Sequence, residues 1–282
     1  MTVTISAITD THVAAVAEFL RDQHNGGVPW DRACASLPWT AKAPNRGFMI
    51  RDGDRVVGTL LALYSERLVA GRTERFCNLG SWCVLPEYRS RSISLLNSLL
   101  AQEGYHFTVL SPDERSQEVL EWLKFRSLDT TAALVPHLPW PTLPGATRIS
   151  ADPEVIENTL RGHELQIYRD HAHALAAHHL VICRDGASCY VIYRESRHKS
   201  GLVLAVIVHV SDPALFHRAM PALGRHLLTR HGLVASLIEL RIIDRKPRFA
   251  LTLSRPPKMY RSDSLEDRDV DDLYSELVCV PM

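Results

Sequence analysis

At 282 residues the chain exceeds a single domain of roughly 100–200 residues, and 46% hydrophobic with 23% charged residues exclude a disordered or fibrous protein. Lys plus Arg number 32 and Asp plus Glu number 32, so no net field steers the protein toward nucleic acid or an anionic membrane, and neither is expected as a partner. Six cysteines without a CxxC pair read as free thiols in a reducing compartment rather than as a disulfide framework.

The amino terminus carries Asp10, His12 and Glu18 within its apolar pattern, unlike a signal peptide. The longest apolar run, from Gly201 to Val210, is far short of the roughly 20 residues that span a bilayer, and a cytoplasmic location is expected. Thr2 to Ile8 reads as a strand, followed by a helix from Thr9 or Asp10 with Val13, Val16, Ala17 and Leu20 on one face. A short helix is expected from Pro29 to Leu37. The two apolar runs around Asp52-Gly53 predict a hairpin, whose second strand continues to Tyr64. A strand from Arg75 to Leu85 stops at Pro86, and Ile93, Leu95, Leu96, Leu99 and Leu100 predict a buried helix ending near Gly104. Tyr105 to Leu110 reads as a strand, Ser111-Pro112-Asp113 as a turn and cap, Gln117 to Phe125 as a helix, and Leu128 to Val135 as a strand.

The stretch from His137 to Ala146, with three prolines and a glycine, marks a domain boundary between residues 1–140 and 147–282. Beyond it the pattern partly repeats. A strand at Thr147 to Ile149 precedes a long helix from Asp152 to about Ala177, then strands Leu180 to Arg184 and Ser188 to Tyr193 flank an Asp185-Gly186 turn. A strand Leu202 to Val210 leads through Ser211-Asp212-Pro213 into a helix from Ala214 to Arg230. Strands Val234 to Ile243 and Arg248 to Leu253 follow. This order predicts a mixed α/β fold built twice. The tail from Lys258 to Leu277, with Ser264 as cap and Val270, Leu273 and Leu277 at helical spacing, predicts a docked acidic helix whose Asp267 to Asp272 face water or hold an amine.

Chemistry concentrates between Ser81 and Leu100. A strand ending at Cys83-Val84 meets a proline, a tight loop bearing Arg89 and Arg91, and a helix start made of Ser90, Ser92, Ile93 and Ser94. Unpaired amides at a helix start, the macrodipole and two guanidinium groups suit a pyrophosphate.

The run VLPEYRSRSISLL also resembles the coenzyme A signature of the GNAT N-acetyltransferase superfamily, V-x-P-x-Y-R-G-x-G-[IV]-G, and the element order over residues 1–140 agrees with a whole GNAT fold. The resemblance implies a tandem GNAT-like acyl-CoA N-acyltransferase fold. It implies acetyl-CoA or another acyl-CoA as co-substrate, held by Cys83, Val84, Arg89, Ser90, Arg91, Ser92, Ile93 and Ser94. The acceptor it implies is a primary amine, with a small molecule favoured over a protein. Serine stands at both loop glycines, and Asn78 stands where many members carry a general-base Glu. The run from Ser116 lacks the acid Tyr, with Trp122 and Phe125 expected in the core instead. No catalytic residue is thereby assigned.

The second half has no counterpart of the loop, since Asp212-Pro213 puts a carboxylate where pyrophosphate would sit, and it is expected to close an acceptor cleft or to form a homodimer face. The cluster His171, His173, His178 and His179 lacks the four-residue spacing of a chelating helical pair, and no metal is expected. Two functions remain open: transfer of an acyl group to an amine, and a non-catalytic protein that senses acyl-CoA or assembles with a partner.

Overall fold

The computed structural model describes residues 3–24, 28–35, 39, 42–141, 147–197 and 201–281. Strand β1 (Val3–Ala7) passes through a 3-10 turn at Asp10–His12 into helix α1 (Val13–Gln23), which buries Val16, Ala17, Phe19 and Leu20. Helix α2 (Trp30–Ala35) is short, and residues 36 and 37 of the expected helix lie outside the described residues. The hairpin forms as expected from β2 (Gly47–Asp52) and β3 (Arg55–Val69), with Asp52 paired to Arg55 and Gly53 at φ +61. Then come β4 (Arg72–Val84), a 3-10 segment Pro86–Arg91, α3 (Ser92–Leu100), β5 (His106–Val109), α4 (Glu114–Trp122), β6 (Arg126–Leu128) and β7 (Ala132–Pro136).

The second half opens with β8 (Arg148–Ser150). The long helix expected from Asp152 to Ala177 is instead two: α5 (Pro153–Thr159) and α6 (Gly162–His171). Leu160 and Arg161 are extended and Gly162 takes φ +54, a left-handed value that interrupts the helix. Strands β9 (His178–Arg184) and β10 (Ala187–Arg197) turn at Asp185-Gly186, and β11 (Val203–Val210) leads to α7 (Pro213–His231), which stops at Gly232 with φ +70. The expected strand to Ile243 ends early, β12 (Ala235–Glu239) giving way to α8 (Leu240–Ile243). After β13 (Leu251–Leu253) the expected tail helix is absent. Lys258–Arg261 is strand β14, and only α9 (Glu276–Cys279) is α-helical thereafter. Val270, Leu273 and Leu277 are nonetheless buried, so their apolar character was informative and their spacing was not.

The chain forms two compact units, and their boundaries differ from 1–140 and 147–282. One comprises Met1–Leu128, Pro257–Val270 and Tyr274–Met282; the other comprises Asp129–Pro256 and Asp271–Leu273. The cause is a pair of strands that leave their own half. The first unit's sheet has the order β1-β2-β3-β4-β5-β14-β6, and the second's reads β8-β9-β10-β11-β12-β7-β13 when taken from its β8 edge. Pairing is antiparallel throughout except β4 with β5 and β11 with β12, which are parallel. Strand for strand the sheets agree in order and sense. In each, the strand in the sixth place comes from the other half of the sequence: β14 in the first, β7 in the second. The Pro-rich stretch after β7 therefore belongs within the second unit, and its residues 142–146 lie outside the described residues.

Candidate functional site

β4 is the strand that shapes the site. It pairs with β3 along its length, but with β5 only at Phe76, Cys77 and Asn78. From Leu79 to Val84 the two parallel strands part. On the β3 side the register slips, Gly80 facing Leu61 and Cys83 facing Thr59, which leaves Ser81 and Trp82 opposite Leu60. Ser81 takes φ +49 to accommodate this bulge. Near the strand end, a Cβ on Gly58 would lie 3.0 Å from methyl groups of Ile50 and Val84, so glycine lets Val84 close against the sheet.

Beyond β4, Leu85 is buried and its amide donates to the Val57 carbonyl at 3.0 Å. The Tyr88 hydroxyl donates to Asp52 at 2.8 Å, tying the loop to the first hairpin; that bond to a carboxylate pushes the phenol pKa up. Arg89, Ser90, Arg91 and Ser94 are exposed, and Ser92 and Ile93 are half-buried. Neither arginine is ion-paired among the described residues. Arg91 occupies the N-cap of α3 and no side chain caps the helix; the Ser92 amide donates to the Arg89 carbonyl of the preceding 3-10 segment, and the Ile93 and Ser94 amides follow it at the helix start. The corresponding helix of the second unit is closed: Asp212 accepts from the Leu215 amide at 2.8 Å. A carboxylate already holds the position an incoming anion would take.

Asn78 sits where β4 and β5 part, and it is fully buried. Its amide nitrogen donates to the Thr108 hydroxyl at 3.1 Å and carbonyl at 3.3 Å, and its oxygen accepts from the Glu276 backbone amide at 3.2 Å. It is a clasp joining β4, β5 and the carboxy-terminal segment. Glu276, 4% exposed, packs its Cβ about Gly80, within 3.5 Å of where a Cβ would be. Its Oε1 accepts a 2.7 Å bond from the hydroxyl of exposed Ser111, just past β5. A carboxylate thus stands beside the parted strands, supplied from nearly 200 residues away. Sequence reading missed it because Glu276 lay in a segment read as a helix; only its position among Leu273, Leu277 and Val278 hinted at burial.

Other side chains fall elsewhere than expected. Trp122, expected in the core, is 74% exposed, while Phe125 is buried, because α4 ends at Trp122 and the chain turns at Lys124 with φ +65. Burial pushes the Cys83 thiol up, which keeps it a thiol near neutrality. His179 lies between the Tyr190 hydroxyl at 2.8 Å and the His171 carbonyl at 3.1 Å. The carbonyl can only accept, so Nε2 carries the proton and Nδ1 accepts from Tyr190. Burial lowers the His179 pKa to about 4.

No family model matches the sequence, and no curated protein matches it. Solved structures do. A GCN5-related N-acetyltransferase from Anabaena variabilis aligns with a TM-score of 0.60 at 12% identity, over 92% of this chain and 72% of that one. A probable N-acyltransferase from Enterococcus faecalis gives 0.58 at 15% identity, over 95% and 74%. Saccharomyces cerevisiae N-myristoyltransferase with bound myristoyl-CoA gives 0.51 at 11% identity, over 99% and 86%. Together with the two matching sheets, these likenesses identify the fold as the GNAT fold in tandem.

Proposed function

We propose that a chain with this tandem GNAT fold binds an acyl-coenzyme A in its first unit and transfers the acyl group to a primary amine of a small molecule. The observation that carries the reading is the uncapped start of α3, flanked by exposed Arg89 and Arg91, directly after a strand that has parted from its parallel neighbour. The pyrophosphate of CoA would lie on the amides of Ile93 and Ser94 with the two guanidinium groups beside it, the Ser92 amide being engaged by the Arg89 carbonyl. Pantetheine would run along the edge of β4 toward Cys83 and Val84, where sheet-free backbone groups hold the thioester and polarise its carbonyl.

In this reading the amine nitrogen attacks the thioester carbon, the C–S bond breaks, and CoA leaves as a thiolate. The nitrogen must lose a proton, and Asn78 cannot take it because its amide has no basic site. Glu276 is the carboxylate at hand, and Ser111 links it to solvent-facing space, so a proton can pass through that hydroxyl to Oε1. Direct attack agrees with Cys83 remaining protonated. A second reading, acyl-CoA sensing without transfer, is favoured by the spent hydrogen bonds of Asn78, which leave β4 without a base where it parts from β5.

Isothermal titration with CoA, acetyl-CoA and longer acyl-CoAs, followed by thiol release with a panel of amines, separates the two. Transfer predicts binding and amine-dependent release; sensing predicts binding alone. Replacing Arg89 and Arg91 together by Ala should weaken CoA binding by about 1.5–3 kcal/mol per charge-assisted bond lost. Unchanged affinity would remove the loop from the site.

A further inference from the structure

The second unit carries a groove of about 1060 Å³ between the end of β7, the middle of α7 and the loop from Arg245 to Phe249. Its close walls have a local cause: a Cβ on Gly224 of α7 would lie 3.2 Å from the His137 ring, so glycine admits that ring against the helix. Leu138, Trp140, Met220, Leu223 and Phe249 supply apolar lining. Trp140 is 47% and Phe249 89% exposed, and Phe249 holds φ +63, a left-handed backbone that bulky residues rarely adopt and that tends to mark functional loops.

Every charged side chain in this lining is a cation: Arg218, Arg245, Lys246 and Arg248. None of the four is ion-paired among the described residues, so like charges gather there without a carboxylate to offset them. The polar groups of the floor have partners within the protein. His137 donates to the Leu233 carbonyl at 2.7 Å and meets the Ser236 hydroxyl at 2.8 Å, while His217 donates to the Ile243 carbonyl at 2.8 Å. Recognition of a base edge or a sugar needs directional polar groups that this floor has already engaged. Charge and apolar area remain. The concavity, at the scale of small-ligand sites, fits a slender molecule better than a flat protein face.

We propose that this groove binds a long-chain acyl anion, with its chain against Trp140, Leu138, Met220 and Phe249 and its acidic head at Arg218, Arg245, Lys246 and Arg248. The site is independent of the CoA loop, which belongs to the other unit. The anion can arrive as a free fatty acid or as an acyl-CoA, and the test separates these sources. The full chain would be titrated with laurate, lauroyl-CoA, dodecanol and acetate, by calorimetry and by tryptophan fluorescence, with Trp140→Phe identifying the responding residue. Laurate or lauroyl-CoA is expected to bind to a protein carrying Arg89→Ala and Arg91→Ala, with acetate silent and dodecanol at least tenfold weaker. Arg245→Gln with Arg248→Gln should weaken binding at least tenfold. Phe249→Ser, at an exposed position, should weaken it severalfold with circular dichroism unchanged. The proposal is overturned if neither acyl anion binds, if binding survives both sets of groove variants, or if it depends on Arg89 and Arg91. It is equally overturned if sedimentation shows a dimer that Trp140→Ala and Phe249→Ser convert to monomers, since the groove would then be an interface.

Discussion

Asn78 is held from three sides, and its three bonds limit its chemistry. Asn78→Ala removes a buried donor and acceptor together and leaves the Thr108 carbonyl and the Glu276 amide to find other partners, which should cost about 1–3 kcal/mol in urea denaturation. Glu276→Gln separates structure from chemistry. It retains an oxygen for the Ser111 hydroxyl but gives up proton affinity, so the transfer rate should fall by about a hundred- to ten-thousandfold while acyl-CoA affinity stays constant. A variant transferring at the parental rate would place the base elsewhere. His179 tests the second unit. Its folded pKa of about 4 lies below the ordinary 6.5, so the fold favours the neutral ring. That contribution is complete above about pH 6.5 and is lost as pH falls toward 4, amounting to about 3 kcal/mol across the window. His179→Gln should flatten stability against pH over that range, as measured by denaturant titration. A slope equal to the parent's would show that other groups carry the acid dependence.

At the level of elements, the two helix starts answer the same question differently. α7 is capped by Asp212, and Asp212→Ala should destabilise the second unit by about 0.5–2 kcal/mol, seen as a lower denaturation midpoint. α3 has no such cap, and its serines stand where the family signature has glycine. If Ser92 and Ser94 keep their side chains clear of the phosphate, Ser92→Gly should change CoA affinity little, since the backbone donors persist. A large gain would mean that the natural side chain obstructs the phosphate path. The legible elements were those with a local cause. Asp52-Gly53 and Asp185-Gly186 give turns, Asp113 caps α4 with a 2.7 Å bond from the Ser116 amide, and Leu95, Leu96 and Leu99 bury one face of α3. The illegible ones were decided by distant partners. Lys258 to Arg261 looks like the basic start of a tail, yet its place between β5 and β6 makes it a central strand with Met259 and Tyr260 buried. Glu276 reaches the site through the same return of the chain, and no pattern within its own segment could announce a contact with Asn78.

For the whole molecule, that return decides what can fold alone. A cut in the Pro-rich stretch looks natural from composition, and a fragment of residues 1–140 would contain six of the seven strands of the first sheet together with β7. It would lack β14. That strand pairs with β5 through Met259–Val109, Tyr260–Thr108 and Arg261–Phe107, and with β6 through Lys258–Leu128, Met259–Ser127 and Tyr260–Arg126, so its loss leaves facing strand edges without partners. The fragment also loses Tyr260, whose ring covers Leu128 and Val270 and whose hydroxyl donates to Asp267 at 2.7 Å, and it loses the clasp between Asn78 and Glu276. In place of these it gains β7, whose pairing partners β12 and β13 are absent, an exposed edge of the kind that templates aggregation. Residues 1–140 alone should therefore show no cooperative unfolding transition by circular dichroism and should self-associate in sedimentation. Mixing with residues 147–282 during refolding should recover a transition, because that fragment brings β14 to the first sheet and receives β7 in its own. A monomeric 1–140 fragment with a sharp transition would mean that the first sheet closes without its sixth strand, and that the strand exchange is dispensable to the fold.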